Sequence, residues 1–147
     1  MGLVYAEITL KNPRDSSLRA MNVKALVDSG AHWLCIPEHV SNQLGLEALE
    51  KREVTLADGK KIMAPYVGPL QISFENRNSF TGAMVFGNEV LLGAIPMEDM
   101  DVLIAPLERK LVVNPNNPNF ACGVAMGFSL SGGADSVTGD SANDKQN

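Results

Sequence analysis

Apolar and polar residues alternate over short stretches along most of the chain. In "VYAEITLK" the residues Val4, Ala6, Ile8 and Leu10 fall on one side, and comparable runs follow in "MNVKALV", "EVTLA", "KKIMA", "GPLQISF", "FTGAMVF", "EVLL", "DVLIA" and "KLVVN". A period of two marks a half-buried strand, because successive side chains of extended backbone point to opposite faces. Short strands at close spacing with turn residues between them predict an antiparallel-rich β barrel or sandwich. Asp58-Gly59 between two such runs predicts a hairpin of type I′, since that pair accepts positive φ. Helical pattern is confined to two short stretches. "PEHVSNQLGL" has Pro37 suited to a first turn and Gly45 to a terminus, and "IPMEDM" has Pro96 near its start, with Glu98, Asp99 and Asp101 expected as solvated acids at the helix ends.

Beyond Pro118 the pattern dissolves into "NFACGVAMGFSLSGGADSVTGDSANDKQN", where little apolar content remains to offset the entropy of ordering. The expected organisation is one domain over residues 1–118 and a flexible Gly/Ser/Asp-rich tail over 119–147, within which Val124 to Leu130 is apolar enough to dock. A length of 147 residues suffices for one real core. With 45% hydrophobic and 20% charged residues the composition is that of an ordinary globular protein. The net charge of −5 and the scatter of Lys and Arg argue against a nucleic-acid partner. No apolar run is long enough to span a membrane and the start lacks the pattern of a secretory signal, so a cytoplasmic protein without a membrane partner is expected.

The candidate chemistry lies in "ALVDSGA". A buried-strand run, Lys24-Ala25-Leu26-Val27, ends on Asp28, Ser29 and Gly30, which delivers a carboxylate from inside the protein and calls for a compensating partner. No second Asp-Ser-Gly and no domain-sized repeat occurs in the chain. Other constellations are weaker. His32, Cys35 and His39 match no standard metal spacing, Cys35 and Cys122 read as two reduced thiols, and a Ser-His-Asp triad on Ser29 lacks its strand-turn-helix setting. Trp33 is expected in the core or a pocket wall.

Taken in order, "ALVDSGA", "VTLADGKKI", "EVLLGAIPMEDMDVLI" and "PLERKLVVNP" resemble the retroviral-type (retropepsin-like) aspartic proteases, in particular small bacterial single-domain members, from about residue 3 to about residue 115. The resemblance implies a mostly β acid-protease barrel with one or two short helices and a homodimeric active site. It implies that Asp28 is catalytic, that Ser29, Gly30 and Ala31 support its loop, and that Ala57, Asp58 and Gly59 form the tip of a substrate-binding flap. Leu92 and Gly93 are implied to pass beside the catalytic loop, and terminal strands of two copies to interleave over Leu111 and Val113. The implied partners are a second copy of the chain and a peptide or unfolded polypeptide, with no metal and no cofactor. Two departures stand out: Ser29 where the family has Thr, and Ala94-Ile95 where many retroviral members place an arginine and an acidic or amide residue. The rival readings are a non-catalytic peptide-binding or dimerisation module of the same fold, and an enzyme acting only on its own tail near Phe128-Ser129-Leu130.

Overall fold

The computed structural model describes residues 2–127. Among them are nine strands and two short helices. The strands are β1 (Val4–Lys11), β2 (Met21–Val27), β3 (Leu34–Ile36), β4 (Glu47–Thr55), β5 (Lys61–Phe74), β6 (Arg77–Val85), β7 (Val90–Leu92), β8 (Val102–Ala105) and β9 (Lys110–Val113). Helix α1 (Glu38–Gln43) follows β3, and α2 (Ala94–Met100) follows β7. The main sheet runs β1-β2-β7-β3-β6-β5-β4, and a further pairing of β1 with β5 closes its first six strands into a barrel. Strand β4 stays outside the ring and extends β5 as a hairpin. No helix among the described residues is long and apolar enough to cross a membrane.

Alternation explains the closure. Val4, Ala6, Ile8 and Leu10 of β1 all face the interior, joined by Leu34, Ile36, Leu70, Ile72 and Leu92 from the other staves. Strand β2 departs from the expected fully buried run: Ala25 and Val27 point inward, Lys24 is exposed and Leu26 half-buried. Its outer face is therefore wet, as suits a stave with one face on the core.

Three local expectations are corrected. "KKIMA" and "GPLQISF", expected as separate runs, belong to one strand of 14 residues, which accommodates Gly68-Pro69 by a register shift between Val67 and Leu70. The turn at Asp58-Gly59 is not type I′. Only Gly59 takes positive φ, at 87°, while Gly59 N–H donates to Leu56 O at 2.9 Å and the Asp58 carboxylate accepts Lys60 N–H at 2.9 Å. That is a longer loop with a single left-handed glycine at its end. Finally, α2 starts at Ala94, so Glu98 and Asp99 fall in its last turns rather than its first, and Asp101 is its left-handed C-cap at φ 56°.

Asp101 is no solvated acid. Its side chain is 13% exposed. It accepts hydrogen bonds from Asn114 Nδ2 at 2.9 Å, Asn117 Nδ2 at 2.7 Å and the Cys122 amide at 3.0 Å, with buried Arg77 at 3.9 Å. Arg77 Nη2 also donates to Asn117 O, and Asn76 Nδ2 donates to Pro118 O at 2.9 Å. Of the tail expected from residue 119, the first few residues are thus tied to the β5–β6 turn and the end of α2. Val124 and Met126 are exposed, and residues 128–147 lie outside the described residues. Leu111 is already 5% exposed in the single chain, packed with the core beside β1, so no interleaving partner is needed to cover it; Val113 is half-buried.

Candidate active site

Asp28 stands one residue beyond the end of β2, where β2 runs parallel to β7 with Val27 level with Leu92. Its amide continues that ladder by donating to Leu92 O at 2.9 Å. The carboxylate Oδ1 then accepts the Gly30 amide at 2.9 Å, and Asp28 O accepts the Ala31 amide at 3.2 Å, so the loop folds back upon the acid. This is a local side-chain-to-backbone turn that Asp favours. It fixes one carboxylate oxygen and leaves the side chain half-buried, with Ser29 and Gly30 exposed beside it.

The second support is Gly93. After β7 the chain passes so close to the loop that a Cβ on Gly93 would lie 2.4 Å from Trp33 O, 2.8 Å from Ala31 O and 2.8 Å from the His32 carbonyl carbon. Only a residue without a side chain fits there. The passage lets the first amides of α2 reach the loop: Ala94 N–H donates to Ala31 O at 2.7 Å and Ile95 N–H to His32 O at 2.9 Å. Residues 28–33 are therefore held by β7 on one side and α2 on the other. Ala94 and Ile95, which depart from the retroviral pattern in their side chains, brace the loop through their backbones.

A cleft of about 620 Å³ opens between this loop and the β4–β5 hairpin. Trp33, Cys35, Val54, Leu56, Phe86 and Leu91 make its wall largely apolar, and Asp28 and His32 open onto it. Burial, and then the charge of Asp28, push the Cys35 thiol up to about 11, so this thiol stays protonated at neutral pH. Of the residues singled out in the sequence, Asp28, Gly30, Ala31 and Ala57 line the cleft. Ser29, Asp58, Gly59, Leu92 and Gly93 do not: Leu92 and Gly93 are buried behind the loop, and Asp58 and Gly59 sit on the exposed hairpin tip. His39 lies exposed on α1, apart from His32 and Cys35.

Sequence reasoning missed Arg52. Its guanidinium stacks on the Tyr66 ring at 3.7 Å, lies 5.8 Å from the Trp33 ring, and holds Glu50 through Nε at 2.6 Å. The Glu50 hydrogen bond favours its charged form. In the sequence the only hint is an acid two places before an arginine on a strand; the aromatic partners come from β5 and from the loop after Asp28.

No family model matches the chain, and no curated protein does either. Solved structures do. The retroviral protease-like domain of Ddi1 from Leishmania major aligns at a TM-score of 0.53 with 14% identity, over 78% of this chain and 90% of that one. EIAV protease complexed with the inhibitor HBY-793 aligns at a TM-score of 0.50 with 17% identity, over 67% of this chain and 88% of that one. The mostly β barrel with its two short helices is a retropepsin-like fold.

Proposed function

We propose that the chain is an aspartic endopeptidase that works as a homodimer, with Asp28 of each copy forming the catalytic pair. The observation that carries this reading is the placement of Asp28: a carboxylate fixed at a strand end by Leu92 and Gly30, opening onto an apolar-walled cleft under a hairpin. The exposed Ser29 and Gly30 leave one flank of the loop uncovered within the single chain, where a second copy seats. Two-fold symmetry then supplies the second carboxylate from the same residue.

Two carboxylates held that close share one proton over a working pH range, since both cannot ionise together. The ionised member takes a proton from a water between them as that water attacks the scissile carbonyl carbon. The protonated member hydrogen-bonds the carbonyl oxygen and, as the tetrahedral species collapses, a proton passes to the leaving amine. The substrate is a peptide or unfolded polypeptide, bound extended beneath the β4–β5 flap, whose closure limits water in the cleft. Ser29 keeps the hydroxyl needed to brace the two loops against each other.

The test is cleavage of an unfolded protein across mildly acid to neutral pH by wild type and Asp28→Asn, matched for folding by circular dichroism and for dimer content by sedimentation. Cleavage by the wild type that disappears in the variant supports the dyad. A folded wild-type dimer that cleaves nothing, yet still binds peptide, overturns the reading in favour of a peptide-binding module.

A further inference from the structure

The flap touches the body of the domain through more than its continuous strand. Tyr66 of β5 is seated over Gly82 of β6, where a Cβ would lie 2.3 Å from Tyr66 Cζ, and it packs against the buried Cys35, Ala64 and Met84. Arg52 of β4 stacks on that fixed ring and leans toward Trp33. Trp33 is itself held at its backbone, its carbonyl wedged against Gly93 and its neighbour His32 bonded to the start of α2. The Arg52 guanidinium therefore lies between one aromatic ring anchored in the barrel and another carried by the loop of Asp28. Val54, two residues further along β4, lines the cleft beside Trp33.

We infer that Arg52 is a positioning residue: its stack between Tyr66 and Trp33 latches the root of the flap to the Asp28 loop and sets the orientation of the Trp33 ring in the cleft wall. A lysine ammonium can also sit over a ring, but only the flat guanidinium stacks face to face on Tyr66 while holding Glu50 through Nε, so lysine is an imperfect replacement at this stacked site. Glu50 does not make the latch but neutralises and orients the guanidinium from the solvent side, at 2.6 Å from Nε. The inference rests on the protease reading only for its effect on turnover; the latch itself is a property of the free protein.

Trp33 is the only tryptophan in the chain, so its emission reports on the latch directly. The experiment compares wild type, Arg52→Gln, Arg52→Lys and Glu50→Gln without substrate, by acrylamide quenching of Trp33 and by amide exchange over residues 47–64, at matched urea midpoints. A latch of ordinary cation–π strength predicts that Arg52→Gln raises flap exchange about two- to fivefold and raises quenching of Trp33. Arg52→Lys is expected to restore only part of this, and Glu50→Gln to change little. If Arg52→Gln leaves both readouts at the wild-type level, or if Arg52→Lys restores them fully, the latch is overturned. With a cleavable substrate, the latch predicts that Arg52→Gln raises KM more than it lowers kcat; absence of any cleavage by wild type refutes the protease reading and leaves the fluorescence result standing.

Discussion

Replacing Gly93 with alanine tests whether the Asp28 loop owes its position to a backbone crossing. The added Cβ meets Trp33 O at 2.4 Å and two further atoms of the loop backbone at 2.8 Å, where ordinary contact begins near 3.4 Å. No flexible side chain can swing away, so the strand or the loop has to shift by roughly an ångström, at a cost of about 1–3 kcal/mol for overpacking. Such a shift also stretches Ala94 N–H to Ala31 O, now 2.7 Å, and Ile95 N–H to His32 O, now 2.9 Å. Each is worth about 1 kcal/mol. Gly93→Ala is therefore expected to destabilise by about 3–5 kcal/mol, a large share of the roughly 5–15 kcal/mol of a typical domain. The assay is urea unfolding followed in parallel by Trp33 emission and far-ultraviolet circular dichroism. Gly123→Ala, with nothing within 4 Å of its Cβ position, is the control and should change stability by less than about 0.5 kcal/mol. A Gly93→Ala protein within about 1 kcal/mol of the control, with unaltered Trp33 emission, would refute the argument that this crossing holds the loop.

Other expectations are as direct. Glu75 turns the β5–β6 hairpin at φ 51°, a region costly for a residue with a branched-off side chain, so Glu75→Asn should raise the urea midpoint by the equivalent of about 0.5–1 kcal/mol. Native protein at pH 8 should take up one equivalent of iodoacetamide, at exposed Cys122, and two in denaturant. Because burial outweighs the Asp28 charge in raising the Cys35 pKa, Asp28→Asn should leave Cys35 protected. Hydrogen bonds from Asn114, the Cys122 amide and Asn117 hold Asp101 below its ordinary 3.8. A depressed carboxylate stabilises the fold above its unfolded pKa and loses that contribution as pH falls through its folded one. The stability difference between wild type and Asp101→Asn should then be constant above about pH 5 and shrink below about pH 4; a difference that grows on acidification would contradict the network.

Much of the barrel was legible because alternation is local. Val4 to Leu10 reads as a strand with one buried face from seven residues alone, and β1 contains that stretch. What the alternation does not carry is which stave meets which. The β1–β5 pairing that closes the ring joins Leu10 to Ile72, and the parallel β2–β7 pairing joins Val27 to Leu92; nothing local in either segment encodes the other. Strand β3 has three residues, all buried, too short to show any period. The "ALVDSGA" stretch marked Asp28 as an acid at a strand end, and its hydrogen bond to Gly30 is local enough to expect from an Asp two residues before a Gly. Arg52 was invisible for the opposite reason. Its rings arrive from residues 14 positions ahead and 19 behind, through a β4–β5 register that slips by one at Ala48 and Glu50. Asp101 was misjudged because the donors that hold it, Asn114, Asn117 and the Cys122 amide, lie 13, 16 and 21 residues further along the chain.

Strand β5 belongs to two structures at once: its second half is a stave of the closed barrel and its first half pairs with β4 in the outlying hairpin. Mechanically this is a cantilever, clamped where Leu70 and Ile72 sit in the core and free at Asp58-Gly59, with the irregularity between Val67 and Leu70 at the clamp. A cantilever's tip moves most when its root yields. Trimming Leu70, which touches neither the cleft nor the tip, should therefore widen the sweep of the hairpin more than any change at the exposed tip, and core packing becomes a control on how the cleft is covered.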